Sequence, residues 1–514
     1  MFSGPHRKEW RWVLIWASVV VVVTCLPYLY AWQSTPEGLV FGGLLTNPLD
    51  GNSYLAKMRQ GLQGAWRFYL PFTPEPHDGA FIFTYYLALG HLARLLGLSL
   101  PLVYHLARVV NSWLLLLIVY WFFARLECDL WTRRVAFLLA ALSSGLGWLA
   151  APLGLFTSDL WVPEAITFYA VLANPHFPGA MALMLVIIGL VIQPARRVRL
   201  TLGVATSASL LLAVIQPFAV FGLFVVLGAY LLAQLAHQRR VPWSLIGRSL
   251  ASGLAAGPVI VYDAWVYTAN PAFVAWSAQN LTPSPPAWDY VLSYGLVLIL
   301  AILGLPRAVR RWTVGDRLSV AWIAGIASLL YAPVPLQRRL VMGLHFPLCF
   351  LAAQGLRWLT GRWPARRVIL TSATVGLSTL TNLFLLLGSL VAVRSGDPRL
   401  FLYRDEVPAM AWLRDHAPAE AVVLTAPQTG LLIPAWAGQR VVYGHPFETI
   451  LATERKSLAT GFFASPVGSE PLLASFTVDY VFFGPRERAL GDWVESAGWP
   501  VAYQNDTVTI FDLR

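Results

Sequence analysis

Apolar runs of about 20 residues return along most of this chain, and most of them stop at a short cluster of arginines. That pattern leaves few folds open. A hydrocarbon layer offers no water to unpaired peptide groups, so a segment that crosses it must satisfy its own backbone, as a helix does. About eleven such runs are present, near 13–32, 104–124, 135–153, 177–193, 200–216, 218–236, 244–263, 289–305, 318–334, 340–357 and 368–393. The chain of 514 residues is 57% hydrophobic and 12% charged, which excludes an ordinary soluble domain. The reading is a polytopic α-helical membrane protein with about eleven transmembrane helices.

The net charge of +11 raises the question of nucleic acid. The bases form no single patch with interleaved aromatic residues, so nucleic acid is not an expected partner. They sit instead between apolar runs: Arg7, Lys8 and Arg11; Arg125, Arg133 and Arg134; Arg196, Arg197 and Arg199; Arg239 and Arg240; Arg307, Arg310 and Arg311; Arg357, Arg362, Arg366 and Arg367. With the count above, all six clusters fall on one side. The excess of bases on cytoplasmic loops then predicts a cytoplasmic N-terminus and an extracytoplasmic C-terminus in the plasma membrane. Residues 81–98 are apolar but hold His91 and Arg94, and a span there would invert every later cluster, so they predict a helix lying in the outer interface. No small-residue cleavage site follows the first run, which reads as an anchor. The cysteines Cys25, Cys128 and Cys349 have no disulfide or metal spacing.

Composition changes after the last run. Residues 394–514 carry 10 basic and 14 acidic side chains, and so read as an extracytoplasmic soluble domain following a membrane domain over 1–393, whose first outer loop occupies 33–103. The runs "AVVLTA", "RVVYG", "VDYVFFG" and "VTIFDL" predict strands, and "VPAMAWLRDHA" and "ETILATERKSLATGFF" predict helices, which together make a small α/β fold. No dinucleotide fingerprint, phosphate loop or internal repeat is present.

The first outer loop carries an unusually polar stretch, "TNPLDGNSYLAKMRQG" at 46–61. A helix starting at "DGNSY" and ending near Gly61 or Gly64 places Asp50 one turn from Tyr54, with Lys57 or Met58 following on that face. Asp50 can serve as a general base, help hold a divalent cation such as Mg or Mn, or, with Asn52, cap the helix. In the loop 154–176, Asp159 and Glu164 are further oxygen ligands for such an ion, and "NPHFPG" brings Asn174 and His176 to the start of a span. "PVPLQRRLVMGLHFP" at 333–347 places Arg338 and Arg339 in an outer turn where few bases are expected, with His345 further in. Arginine forks pair well with phosphate oxygens, and Arg108 and Lys57 are secondary phosphate contacts; the competing reading of the pair is snorkelling to lipid headgroups. "YGHPFETILATERK" at 443–456 offers His445, Glu448 and Glu454 for an acceptor, and reads equally as a loop entering a helix.

An Asp-x-x-x-Tyr opening of the first outer loop, the stretch "LAKMRQGLQGAWRFYLPFTPEPHDGAFIFTYYLALGHLARLLGL" and the span "YHLARVVNSWLLLL" resemble the GT-C superfamily of membrane glycosyltransferases, nearest its protein O-mannosyltransferase and aminoarabinose transferase branch. The likeness covers roughly residues 10–200. It implies a catalytic Asp50 with Tyr54 beside it, interface helices on the membrane, and a polyprenyl-phosphate sugar donor. Two departures stand out. The acid that usually follows the catalytic Asp is Gly51, and the usual Lys-Pro before the interface helix is replaced by "EPHDG", with His77 and Asp78 as substrate-binding candidates. A transporter or flippase is the competing reading, disfavoured because almost no ionisable groups fall at mid-bilayer, and a noncatalytic protein that binds lipid-linked sugar is another.

Overall fold

The computed structural model describes residues 6–127, 129–193 and 197–514; Cys128 and Arg196 lie outside the described residues. The chain is a multi-pass α-helical membrane protein with a small mixed sheet near its C-terminus. Among the described residues, seven helices are long and apolar enough to cross a bilayer, beginning with α1 (Arg7–Gln33), and an eighth span is formed if Pro364–Ser378 and Leu380–Arg394, bent by 42° at their junction, count as one. The three other runs expected as spans form shorter helices. His176–Val191, Val314–Leu329 and His345–Thr360 each have 16 residues. At 1.5 Å per residue that is about 24 Å, short of a hydrocarbon core of about 30 Å.

The chain packs as two compact units. The first comprises Met1–Pro27, Leu106–Val261 and Thr282–Ser389. Its helices approach closely where side chains are small: a Cβ on Gly304 would lie 2.2 Å from the Leu351 carbonyl oxygen, and one on Gly355 would lie 2.0 Å from that of Leu300. Ion pairs tie its basic clusters together at one end. Arg133 meets Glu9 at 2.5 Å, Arg311 bridges Glu127 and Asp316 at 3.0 Å each, and Arg357 meets Asp129 at 2.8 Å. Arg134 and Arg367 lie over the rings of Trp12 and Trp131. Four of the clusters read from the sequence therefore share one end of this unit.

The second unit gathers three separated stretches, Tyr28–His105, Tyr262–Leu281 and Leu390–Arg514. It contains α2 (Pro48–Gln63), α3 (Thr84–Leu96) and the start of α4 (Leu100–Leu126). With 13 residues, α3 is too short to span, as the sequence predicts for an interfacial helix. Strands β1 (Leu39–Phe41) and β2 (Phe401–Tyr403) form an antiparallel pair in which Val40 faces Leu402. The main sheet uses β3 (Val422–Leu424), β4 (Arg440–Val441), β5 (Tyr480–Phe483), β6 (Val501–Gln504) and β7 (Thr509–Asp512), in the order β4-β3-β5-β7-β6. Strand β3 runs parallel to β4 and β5, whereas β7 runs antiparallel to β5 and β6. The four runs predicted as strands are β3, β4, β5 and β7; β1, β2 and β6 were not predicted. A core of Phe68, Leu70, Ile82, Leu87, Val266, Phe273, Trp276 and Ile450 draws on all three stretches.

Candidate functional site

The polar stretch at 46–61 forms α2 as expected, with Gly64 as its C-cap. Its N-cap is Asn47, at φ 48°, followed by Pro48 at a first-turn position where its missing N–H is harmless. Neither Asp50 nor Asn52 caps the helix. The Asn47 amide donates to Asp50 Oδ2 at 2.6 Å, which fixes one carboxylate oxygen, and the positive end of the helix favours the charge. Asp50 keeps 41% of its side chain exposed.

Gly51 is buried, and the structure explains why no acid stands there. A Cβ at this position would fall 2.7 Å from Leu44 Cδ1 and 2.9 Å from Cδ2. Leucine fills the space a second carboxylate would need.

Tyr54 stacks on Tyr86 of α3, with ring centroids 4.5 Å apart and planes within 5°. Two glycines make that contact possible. A Cβ on Gly61 would lie 2.1 Å from the Leu87 carbonyl oxygen, and one on Gly90 would lie 2.0 Å from that of Met58, so α2 and α3 cross backbone to backbone. Burial first, then the neighbouring Tyr104, Tyr54, Tyr85 and Asp50, push the Tyr86 phenol well above its ordinary pKa, and the ring stays neutral.

Lys57 is 1% exposed. Its ammonium donates to Glu448 Oε1 at 2.8 Å, to Glu448 Oε2 at 3.1 Å and to Ser53 Oγ at 2.5 Å, and it lies over the rings of Phe83, Phe68 and Tyr54 at 4.6, 5.2 and 5.6 Å. Ser53 also donates to Glu448. Burial alone would raise the Glu448 carboxyl, but the Lys57 charge, His445 and the hydrogen bonds from Lys57 and Ser53 together hold it below the usual carboxylate value. The Lys57 charge is thus neutralised inside the protein, where the sequence suggested a phosphate contact.

Glu448 belongs to the loop 443–449, part of the run that read as a loop entering a helix. The Thr449 hydroxyl accepts from the Gly444 and His445 N–H groups at 3.2 and 3.1 Å, and Leu451 takes φ 53°. Helix therefore starts only at Ala452, four residues later than the predicted segment. His445 is 1% exposed, and its Nδ1 accepts from the N–H groups of Phe447 and Glu448 at 3.1 and 3.2 Å. A neutral ring with Nδ1 as acceptor carries its hydrogen on Nε2, and Nε2 faces Asp50 Oδ1 at 3.5 Å. Sequence reasoning left His445 and Glu448 without a role in this constellation; their partners lie some 390 residues away.

The other candidates in this unit are in the loop 65–83. His77 Nε2 accepts from the Leu70 N–H and Nδ1 pairs with the Glu75 carbonyl, both at 2.8 Å, so the imidazole staples the loop. Asp78 is exposed, and its carbonyl accepts from Asn270 at 2.9 Å.

The remaining candidates belong to the first unit. Arg108, 1% exposed, donates to Thr24 Oγ1, the Val171 carbonyl and Cys25 Sγ at 3.2, 3.0 and 3.4 Å. Asp159 is buried and accepts from the N–H groups of Gly145 and Gly147 at 3.1 and 3.0 Å and from Thr157 Oγ1 at 2.5 Å. Those donors occupy the oxygens a cation would need. Among the described residues, no three His, Cys, Asp or Glu side chains are grouped as ion ligands. Glu164 and His176 are buried, and His176 packs on Phe177 with centroids 3.9 Å apart. Arg338 lies 4.3 Å over the Trp161 ring and Arg339 lies 5.4 Å over Phe218; both are half-buried in a 3-10 turn, Gln337–Val341. His345 is buried, with Nδ1 at 2.9 Å from Thr167 Oγ1 and Nε2 at 3.1 Å from Ser143 Oγ.

No family model matches the chain, and no curated protein does. Solved structures do. ArnT from Cupriavidus metallidurans bound to undecaprenyl phosphate aligns at a TM-score of 0.54 and 13% identity, covering 96% of this chain and 97% of that one. The archaeal oligosaccharyltransferase AglB from Archaeoglobus fulgidus, in complex with an inhibitory peptide and a dolichol-phosphate, aligns at 0.51 and 13% identity over 91% of this chain and 69% of that one. A variant of the arabinofuranosyltransferase AftD from Mycobacteria aligns at 0.56 and 15% identity over 99% of this chain, which spans 42% of that protein. These are GT-C superfamily membrane glycosyltransferases, and the chain shares their fold.

Proposed function

We propose that the chain transfers a sugar from a polyprenyl-phosphate donor to an acceptor on the extracytoplasmic face of the plasma membrane, with Asp50 as the general base. One observation carries the reading. In a chain with this fold, the first loop presents a half-exposed carboxylate whose Oδ2 is fixed by Asn47 at 2.6 Å and whose Oδ1 faces a buried imidazole. Such a group can take the proton of an acceptor nucleophile as that atom bonds to the anomeric carbon. The bond from the anomeric carbon to the donor phosphate breaks, and its electron pair leaves on the polyprenyl phosphate.

Arg338 and Arg339 are the proposed phosphate contacts, since fixed guanidinium groups stabilise charge that grows on a leaving phosphate. Their seats over Trp161 and Phe218 orient them. The undecaprenyl phosphate bound to ArnT and the dolichol-phosphate in complex with AglB support the donor class.

The test is transfer of labelled sugar from polyprenyl-phosphate donors by the purified protein, run beside Asp50→Asn. Loss of a positioned base costs about 10²–10⁴-fold in rate. Unimpaired transfer by the variant would remove Asp50 from the chemistry.

A further inference from the structure

We infer that His445 is a positioning residue for Asp50, and that the C-terminal loop 443–449 exists in part to deliver its Nε2–H to that carboxylate. The inference rests on the reading of Asp50 as the base and adds what holds it.

Three observations converge. His445 Nε2 is a buried nitrogen with no hydrogen-bond partner, a state that is costly and rarely left unused. Its hydrogen is directed outward, because Nδ1 is committed to the N–H groups of Phe447 and Glu448. The carboxylate oxygen it faces, Asp50 Oδ1, stands at 3.5 Å, a few tenths of an ångström beyond a formed hydrogen bond. Donors of this kind are commonly long before substrate arrives and shorten in the loaded complex.

The loop cannot swing the ring away. Glu448 is fixed to Ser53 and Lys57, which lie one and two turns along α2 from Asp50. Phe72 packs against the imidazole with centroids 5.6 Å apart. A Cβ at Gly444 would meet the Gly430 carbonyl oxygen at 2.3 Å, so the backbone beside His445 is seated with no room to shift. Asp50 faces the ring, and Glu448 is the second carboxylate that interacts with it. With Asn47 on Oδ2 and His445 facing Oδ1, both carboxylate oxygens are oriented.

Two substitutions separate this role from loop scaffolding. His445→Gln keeps an amide N–H near the place of Nε2 but loses the acceptor at Nδ1. His445→Asn keeps an acceptor near Nδ1 but loses the donor that faces Asp50. Transfer is measured with a polyprenyl-phosphate sugar donor, and thermal unfolding of each variant is measured in the same detergent. The expected result is kcat within about 5-fold of wild type for Gln and about 30–100-fold lower for Asn, with donor KM within about 2-fold in both, as one charge-assisted hydrogen bond predicts. Adding His445→Asn to Asp50→Asn is expected to cost nothing further. The opposite order, equal losses in both variants, or a full multiplicative loss in the double variant would overturn the inference and leave Asp50 as the base. Full activity of Asp50→Asn alone, or no transfer by wild type, would instead strike the reading beneath it.

Discussion

The Lys57–Glu448 pair gives the sharpest quantitative expectation. Replacing Lys57 by Met keeps the apolar stem among Phe68, Phe83 and Tyr54 but leaves Glu448 facing an uncharged neighbour. The exposures of the two side chains are 1% and 12%, so solvent screens the lost attraction little. Breaking one partner of such a pair costs about 3–5 kcal/mol. For a unit of this size that is a fall of roughly 6–20 °C in the midpoint of thermal unfolding. Lys57→Met combined with Glu448→Leu should recover most of the loss, because the larger part of the cost is the uncompensated buried charge. The pH dependence gives a second check. The folded-state pKa of Glu448 lies below its unfolded value, so its contribution is fully present above about pH 4.3 and is lost as pH falls through the folded value. The gap between wild type and Lys57→Met is therefore expected to be widest near neutral pH and to narrow in acid. Unfolding of the single variant at the wild-type midpoint at pH 7, or a double variant no better than the single, would refute the argument that this pair anchors the loop 443–449.

Three further outcomes follow from packing and charge. Gly51→Asp, which restores the second acid, is expected to destabilise by about 1–3 kcal/mol because its Cβ meets Leu44, and Leu44→Ala is expected to relieve part of that; equal midpoints for the single and double variants would contradict it. Gly90→Ala forces α2 from α3 at a 2.0 Å approach, so it should lower the unfolding midpoint and also the transfer rate through the Tyr54–Tyr86 stack; wild-type values for both would show that the crossing tolerates a methyl group. Gln at both Arg338 and Arg339 is expected to weaken binding of a polyprenyl-phosphate donor more than 10-fold, with the unfolding midpoint unchanged, on the scale of about 1.5–3 kcal/mol for each charged hydrogen bond; unaltered donor affinity would leave lipid headgroups as the arginines' partners.

What the sequence made legible was whatever is local. Hydrophobic runs report helices, so most of the predicted spans fall largely on one, though 368–393 is divided between Arg367–Ser378 and Leu380–Arg394, and α2 ends at Gly64 as expected. Length was harder to read, since the 16-residue His345–Thr360 has no composition that separates it from a longer apolar helix. The surroundings of Asp50 escaped for a different reason. Lys57 and Glu448 meet across 391 positions, and nothing near either residue names the other. The run "PFETI" carries a helix-like pattern, yet the Thr449 hydroxyl closes a turn on Gly444 and His445, and that tertiary bond overrides local propensity. A charge on the buried face of a helix is the one local signal that was available. Lys57 is one of three lysines in a chain with 34 arginines, and it sits one turn past Tyr54 on a helix packed with glycines and aromatic rings. A buried ammonium requires a carboxylate. The first loop holds Glu37, Asp50, Glu75 and Asp78, yet the acid that Lys57 meets comes from another stretch of the chain. Its arrival as Glu448 brings His445 along three residues earlier, which is how a C-terminal loop acquires a place beside the first loop's carboxylate.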